Sequence, residues 1–312
     1  MNTPTNKLEQ LRQMTVVVAD TGDLEAIAQY QPEDATTNPS LLLQATQLPH
    51  YLPLLSEARQ AAQHTGLAVY DCFAARVAAQ LLAQVPGYVS VEVDARTSFD
   101  TQASIARAQG LVDQVAQAGG DAQRLLIKLA ATWEGIRAAE HLEKQGIRCN
   151  LTLLFGFAQA QACADAGVTL ISPFVGRILD WYRAQQPEAD FSGEKDPGVQ
   201  SVKRIYAYYK QHHYPTLVMG ASFRNQQEIE SLAGCDRLTI APSLLASLAA
   251  DQGSLERVLQ PEETQITLPA PINEAAFRLN LNEDAMASEK LGEGIRRFIL
   301  DLDSLEAAIQ QA

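Results

Sequence analysis

Leu125-Leu126-Ile127-Lys128-Leu129-Ala130-Ala131 is an aliphatic run interrupted once, by a lysine. A run of this length reads as a buried strand rather than a helix, and it is far too short to span a membrane. The next segment has a different rhythm. Ile136–Lys144 carries apolar residues at helical spacing, and Gly146 stands where that helix should stop. The pattern then repeats, with a strand at Arg148–Leu154, a helix at Ala158–Ala166 and a stop at Gly167.

Extended in both directions, this alternation predicts strands at Thr15–Asp20, Ala35–Asn38, Tyr88–Asp94, Arg124–Ala130, Arg148–Leu154, Val168–Ser172, Thr216–Ala221 and Arg237–Ala241. Eight strand–helix units without consecutive hairpins favour an α/β fold in which a parallel sheet closes into a (β/α)8 TIM barrel. A doubly wound open sheet is the alternative that alternation alone leaves open. At roughly 150 residues per domain, 312 residues suggest two domains. A barrel with insertions absorbs that length, so a single domain over 1–312 is expected. The long interval between the second and third strands leaves room for extra helices. Asp190–Gly198 reads as a surface loop, and Gln260–Ala270 as a Pro-, Thr- and Glu-rich tail. A last helix, Asp284–Gln310, is expected to pack across the barrel.

The charge balance limits the partners. Lys and Arg number 24 against 37 Asp and Glu, a formal charge of −13. Such a field disfavours nucleic acid and anionic membrane, so neither is expected as a partner. An anionic small substrate must then be held by a few local cations. Cys72, Cys149, Cys163 and Cys235 form no CxxC pair, which fits a reducing cytoplasm better than a zinc or redox site. Met1–Gln13 is polar and lacks the apolar core of a signal peptide.

The residues at the carboxyl ends of the strands carry the chemical signal, because a barrel gathers its reacting groups there. In order they are Asp20, Asn38, Glu92, Lys128, Thr152, Ser172 and Ser222, with Arg224 just beyond. Lys128 is one of seven lysines and the only one inside an apolar strand. Burial disfavours an ammonium, and a neutral amine is a nucleophile suited to Schiff-base formation. The bland alternative is a structural lysine paired with a core carboxylate. In Val89-Ser90-Val91-Glu92-Val93-Asp94 the valines share one face, and Ser90, Glu92 and Asp94 should share the inward one. Asp23 is a better helix cap than Asp20, which leaves Asp20 for other work. Asn38 before Pro39 has the form of an N-cap followed by the first helical residue. Thr152 and Ser172 are hydroxyls able to hold water or sugar hydroxyls. Arg224, with Arg177 after the sixth strand, has the chemistry to clamp a phosphate.

None of the five histidines falls at a strand end, which disfavours a histidine base or a His-ligated catalytic metal. No P-loop, nucleophile elbow or dinucleotide fingerprint is present. An amine, two carboxylates and hydroxyl-binding groups suit imine chemistry on a polyhydroxylated ketone. The iminium is itself the electron sink, so no cofactor and no metal are expected.

Longer stretches carry a resemblance. Asp34-Ala35-Thr36-Thr37-Asn38-Pro39-Ser40-Leu41 and Leu126-Ile127-Lys128-Leu129-Ala130-Ala131-Thr132-Trp133-Glu134-Gly135 resemble the two signature stretches of the transaldolase family. So do Val17–Asp23, Glu92–Arg96, Cys149–Phe155, Ile171–Arg177 and Gly220–Asn225. The likeness is nearest to the longer, typically dimeric bacterial and eukaryotic enzymes, so a cytoplasmic homodimer acting on phosphorylated sugars is implied. The resemblance implies transfer of a dihydroxyacetone unit from sedoheptulose 7-phosphate to glyceraldehyde 3-phosphate, giving erythrose 4-phosphate and fructose 6-phosphate in the pentose phosphate pathway. It makes Lys128 the Schiff-base residue and Asp20 the acceptor of the C4 hydroxyl proton. Glu92, through a water held by Thr152, handles protons in dehydration. Asn38, Asn150 and Ser172 bind the dihydroxyacetone part, Arg177, Ser222 and Arg224 hold phosphate, and Phe174 lines the pocket.

This chain departs from the family pattern at Val91, Ala131 and Gly156, and over an alanine-rich stretch near Gln60–Leu82. Shorter relatives that release free dihydroxyacetone carry Gln in place of Glu92 and Tyr in place of Phe174, so those two residues favour transfer. An inactive barrel kept as a binding protein is a third reading, disfavoured by the complete set of charged residues.

Overall fold

A computed structural model describes residues 6–261 and 267–311. Part of the expected Gln260–Ala270 tail and the first five residues of the polar N-terminus lie outside them. Eight strands are present: β1 (Val16–Asp20), β2 (Asp34–Thr36), β3 (Val89–Glu92), β4 (Leu125–Ala130), β5 (Cys149–Leu154), β6 (Leu170–Pro173), β7 (Leu217–Gly220) and β8 (Arg237–Ile240). They are ordered β1 to β8 in a closed barrel, which settles the choice against an open sheet. Where pairings are resolved they are parallel, as for β3 with β4. Every residue of β3, β4, β5 and β6 is buried, as expected of strands covered on both faces. Val91 and Ala131 lie fully buried.

The helices follow the predicted rhythm. Trp133–Lys144 begins at Thr132, whose side chain accepts the Gly135 N–H, a cap worth about 1 kcal/mol. Ile136, Ala139 and Leu142 give it one buried face. Gly146 and Gly167 come just after helix ends with φ of 81° and 66°, a conformation that favours glycine. The extra helices between β2 and β3 are Pro39–Ala45, Leu52–Thr65 and Val69–Leu82, with a 3-10 turn at Pro49–Tyr51. The predicted loop at Asp190–Gly198 holds only in part. It contains a 3-10 turn, Gly193–Lys195, and gives way to a helix at Pro197. Asp196 is buried there as that helix's N-cap, so it is not a surface residue. No helix among the described residues is long and apolar enough to cross a membrane.

By their contacts the described residues fall into two compact units. The first takes in the chain up to Val18 and Leu151–Gly292, and the second Ala19–Asn150 with the chain from Glu293 onward. In the first unit, Lys7 pairs with Glu230 at 2.7 Å and Asp251 at 2.9 Å, tying the first helix to later elements. Its part of the C-terminal helix, Ala285–Gln311, places Glu289 at 2.6 Å from the Trp181 indole nitrogen.

In the second unit, the rest of that helix buries Ile295, Phe298, Leu302, Leu305 and Ile309, an alternating three- and four-residue stripe. Its outer side reaches the end of β3, where Arg96 meets Glu306 at 2.9 Å and Asp94 at 3.0 Å. Arg107 adds contacts to Asp94 at 3.1 Å and Asp71 at 2.9 Å. Asp94 thus corrects the expectation of an inward polar face running along Ser90, Glu92 and Asp94. The strand stops at Glu92, and Asp94 caps the next turn with its carboxylate held by arginines. Burial is the main reason that Asp71 is pushed up to about 6, with Arg107 opposing.

Arg107→Leu would leave Asp71 and Asp94 buried without their shared cation. Removing one partner of a buried pair costs about 3–5 kcal/mol. The expected result in denaturant unfolding is a lowered midpoint with little change in slope, and an unchanged midpoint would contradict the structural role of this pair.

Candidate active site

The register of β3 with β4 sets the first part of the site. Val89, Ser90, Val91 and Glu92 stand opposite Leu125, Leu126, Ile127 and Lys128. Glu92 and Lys128 are therefore direct neighbours on adjacent strands. The Lys128 Nζ lies 3.4 Å from Glu92 Oε2, and both side chains are almost wholly buried, 5% and 2% exposed. Nζ also donates to the Thr37 carbonyl at 3.3 Å. The predicted amine is thus buried in its strand and bordered by a carboxylate. Tyr70 donates its hydroxyl to the Glu92 carbonyl at 2.7 Å and fixes the strand end. Burial first, and Glu92 second, hold the Tyr70 phenol well above its ordinary pKa, so it stays a neutral donor.

Around this pair the second unit arranges three further predicted residues. Asp23 caps its helix through the Glu25 N–H at 2.9 Å, as expected, and Asp20 is left for another partner. That partner is Thr36, whose hydroxyl donates to Asp20 Oδ1 at 2.9 Å. Thr36 is in register with Ser90, and Ser90 Oγ accepts from Asn150 Nδ2 at 3.0 Å. Asn38 is an N-cap, with Oδ1 accepting the Leu41 N–H at 2.9 Å. The cap employs the oxygen, and the amide Nδ2 is the donor it does not require.

The first unit carries the remaining residues. Thr152 is fully buried in β5, and its hydroxyl has no hydrogen-bond partner among the described residues. The next residue, Leu153, has φ of 52°, a left-handed backbone that costs a non-glycine residue about 1–3 kcal/mol. Ser172 is buried in β6. Phe174 packs edge-on against Phe155 with centroids 5.3 Å apart. The Arg177 guanidinium sits 4.9 Å from the Phe174 ring centroid.

Beyond β7, Ser222 is the other strained residue near predicted site groups, with φ of 63°. Its carbonyl accepts the Gly176 N–H at 2.9 Å. Arg224 places its guanidinium on Asp180, 2.7 Å away at the closest, and approaches the Ser222 hydroxyl at 3.4 Å. The two arginines thus have different holders, an aromatic ring for Arg177 and a carboxylate for Arg224.

Several residues escaped the sequence reading. Thr37 acts through its backbone, which leaves no mark in a sequence. Thr36 and Tyr70 become visible only through strand pairing and helix packing. Asp180 lies in a helix 44 residues before Arg224, too far for local pattern to connect them. Glu228 had a signal: Asn225-Gln226-Gln227-Glu228 has capping-box spacing. Its carboxylate reaches the Arg224 N–H at 2.7 Å, one residue before the cap. The histidines stand in helices, turns or helix ends, away from the strands, as expected.

Strand order and side chains together define an α/β-barrel protein with a buried strand lysine bordered by a carboxylate. The sequence matches the family described as Transaldolase/Fructose-6-phosphate aldolase over residues 17–309, and the chain belongs to that family. It is 59% identical over 309 residues to the transaldolase of Cellvibrio japonicus, with 97% of each chain covered. It is 58% identical to the transaldolase of Marinobacter nauticus and 56% identical to that of Marinomonas sp., with 98% of each chain covered in both cases.

Gly176 marks how tightly the Arg224 loop is packed. A Cβ there would lie 2.4 Å from the Ser222 carbonyl oxygen and 2.5 Å from Arg224 Cγ. Gly176→Ala should cost about 1–3 kcal/mol of stability through overpacking. A lower denaturation midpoint is the expected reading, and wild-type stability would mean that the loop yields freely.

Proposed function

We propose that this chain is a transaldolase that works through an imine on Lys128. The observation that carries the reading is the buried Lys128 Nζ, 3.4 Å from Glu92 Oε2 on the neighbouring strand. Among the described residues, no group of three or more His, Cys, Asp or Glu side chains is arranged to hold a metal. The amine adds to C2 of the donor ketose, and loss of water gives the iminium. Glu92 is proposed to move the protons of that dehydration through a water. The buried, unpartnered Thr152 hydroxyl supports a water at this step, because a buried polar atom without a protein partner favours one.

Asp20 then accepts the C4 hydroxyl proton. The C3–C4 bond breaks, its electron pair passes into the iminium, and the aldose departs as the first product. The remaining enamine attacks the aldehyde carbon of the acceptor, and Asp20 returns the proton to the new hydroxyl. Hydrolysis of the imine frees the ketose and Lys128. In this reading the donor is sedoheptulose 7-phosphate and the acceptor glyceraldehyde 3-phosphate. Asn38, Asn150 and Ser172 bind the dihydroxyacetone part, and Phe174 supplies an apolar wall. Arg177, Ser222 and Arg224 bind the phosphate. The reading extends to one folding domain over 1–312 and to a cytoplasmic homodimer.

The second reading is an aldolase that releases free dihydroxyacetone. Glu92 and Phe174 stand where the releasing relatives carry Gln and Tyr, which favours transfer. Borohydride added with fructose 6-phosphate should fix a three-carbon or six-carbon adduct on Lys128. Lys128→Ala should gain no mass, and labelling of that variant would remove Lys128 from the chemistry. Without an acceptor aldehyde little dihydroxyacetone should accumulate, whereas steady release would favour the aldolase.

Arg224→Ala should weaken phosphorylated substrates selectively. A charge-assisted contact is worth about 1.5–3 kcal/mol, or roughly ten- to a hundredfold in kcat/KM. Trapping with unphosphorylated dihydroxyacetone should change little. Equal loss for both ligands would take Arg224 out of the phosphate role.

A further inference from the structure

Behind Arg224 lies a pair of buried acids that the sugar chemistry does not employ. Glu228 belongs to the short helix Gln226–Glu230, and Asp196 caps the helix Pro197–Gln211. Both are 2% exposed. Their side chains are hydrogen-bonded to each other. Glu228 Oε2 accepts the Arg224 N–H at 2.7 Å, and Oε1 lies 3.3 Å from Asn225 Nδ2. Asp196 Oδ1 accepts the N–H groups of Gly198 at 2.8 Å and Val199 at 3.2 Å. The two acids border a cavity of about 250 Å³ that Arg183 and Asp190 also line.

Two carboxyl groups hydrogen-bonded in a buried place hold one proton between them, because two adjacent buried anions repel. The backbone partners decide where it resides. Asp196 accepts two N–H groups and faces the Arg183 cation, which favours its charged form. Glu228 has one backbone donor, so it carries the proton and donates it to Asp196. The other charges nearby are already paired. Arg224 lies on Asp180 at 2.7 Å, and Asp190 on Lys195 at 2.6 Å.

We propose that Glu228, braced by Asp196, is a positioning residue that clamps the Arg224 backbone and so sets the grip of this loop on substrate phosphate. The proposal rests on the phosphate role assigned to Arg224 above. Glu228 touches no reacting atom and acts only through the loop. Ser222 adds a reason for a clamp, since its left-handed backbone is strained and a neighbouring restraint must hold it.

The clamp has a pH dependence of defined sign. Burial first, and the Asp196 charge among the further causes, raise Glu228 from the ordinary carboxylate range to about 7. An acid raised on folding contributes stability that is complete below its unfolded pKa and lost as pH rises through its folded one. Above neutral pH the pair becomes two facing anions and the Glu228–Asp196 hydrogen bond is lost, so the carboxylate that accepts the Arg224 N–H is pushed away from Asp196 and no longer braced. KM for a phosphorylated ketose should rise on the alkaline side, with kcat much less affected.

The test compares wild type, Glu228→Gln and Glu228→Ala by KM and kcat for fructose 6-phosphate with an acceptor aldehyde, across neutral pH. The glutamine amide mimics the protonated acid, so Glu228→Gln should keep the low-pH KM and lose the alkaline rise. The sugar phosphate's own ionisation is common to all three proteins and cancels in the comparison. Glu228→Ala should raise KM about fivefold at low pH, on the order of one hydrogen bond. Its kcat and its trapping by unphosphorylated dihydroxyacetone should stay within about twofold. A Glu228→Gln profile with the wild-type alkaline rise would overturn the clamp. So would equal effects of Glu228→Ala on phosphorylated and unphosphorylated ligands. Arg224→Ala measured alongside separates the two ideas. If it shows no preference for phosphorylated ligands, the phosphate reading fails and takes the clamp with it. If it shows that preference while Glu228→Gln keeps the wild-type profile, the clamp alone fails.

Discussion

A buried amine and a buried carboxyl group each need a polar partner, and β3 and β4 supply one to Lys128 and Glu92 by register. Slipping either strand by one residue would turn Glu92 to the opposite face and leave Lys128 without its carboxylate. The penalty is steep, since each unpaired buried ion costs several kcal/mol. The 3.4 Å pair is therefore both a chemical feature and a restraint on the sheet. Its contribution to stability is modest in net terms, because desolvation offsets most of the attraction. Its contribution to specifying which residues face each other is larger. The Asn150 contact to Ser90, which joins β5 to β3 across β4, depends on the same register.

The outer layer of the second unit guards that register from behind. Tyr70 fastens the backbone at Glu92, two residues before Asp94. Asp94 is gripped by Arg96 and Arg107, and Arg96 continues to Glu306 on the C-terminal helix. The same helix receives the Ser40 hydroxyl on Asp301, two residues from the Asn38 cap. The helix thus holds two strand ends, beyond β2 and beyond β3. Such ties limit fraying where loops carry polar residues, and preorganisation of those residues is what catalysis needs.

The eight strands were legible because each is a short aliphatic run set between helical segments and stop residues, and a parallel barrel imposes that pattern repeatedly. Observed boundaries fall within two residues of those expected, and the predicted ends at Asn38 and Asp94 are the two that overshoot by two residues. Both overshoots have one cause. Each is a polar residue that extends the strand in sequence but caps the following turn in space. Asp20, Glu92 and Lys128 were visible because a charged residue inside or at the end of an apolar strand violates the local rule, and such violations single out candidates for function. Asp180, Thr36 and Asp196 violate nothing locally. Asp196 looked like part of a polar loop, and only its burial as a cap beside Glu228 gives it meaning. The family stretches implied roles for Asn150 and Phe174 that the residue pattern alone did not.

The two charged contacts near predicted site residues differ in kind. Lys128 and Glu92 are buried, so their pairing is stiff and costly to break. Arg224 and Asp180 are 38% and 43% exposed, and an exposed ion pair is worth about 0–1 kcal/mol. Under the phosphate role proposed for Arg224, this is the useful arrangement. Asp180 holds the guanidinium in place without binding it strongly, and a more highly charged phosphate can displace it at little cost. The restraint on that loop falls instead on its backbone, through the Glu228 carboxyl and the Gly176 N–H. Rigid backbone with an exchangeable side chain would let the loop stay formed while the proposed phosphate came and went. A buried Arg224–Asp180 pair would have made phosphate compete with a desolvated carboxylate, and binding would have suffered.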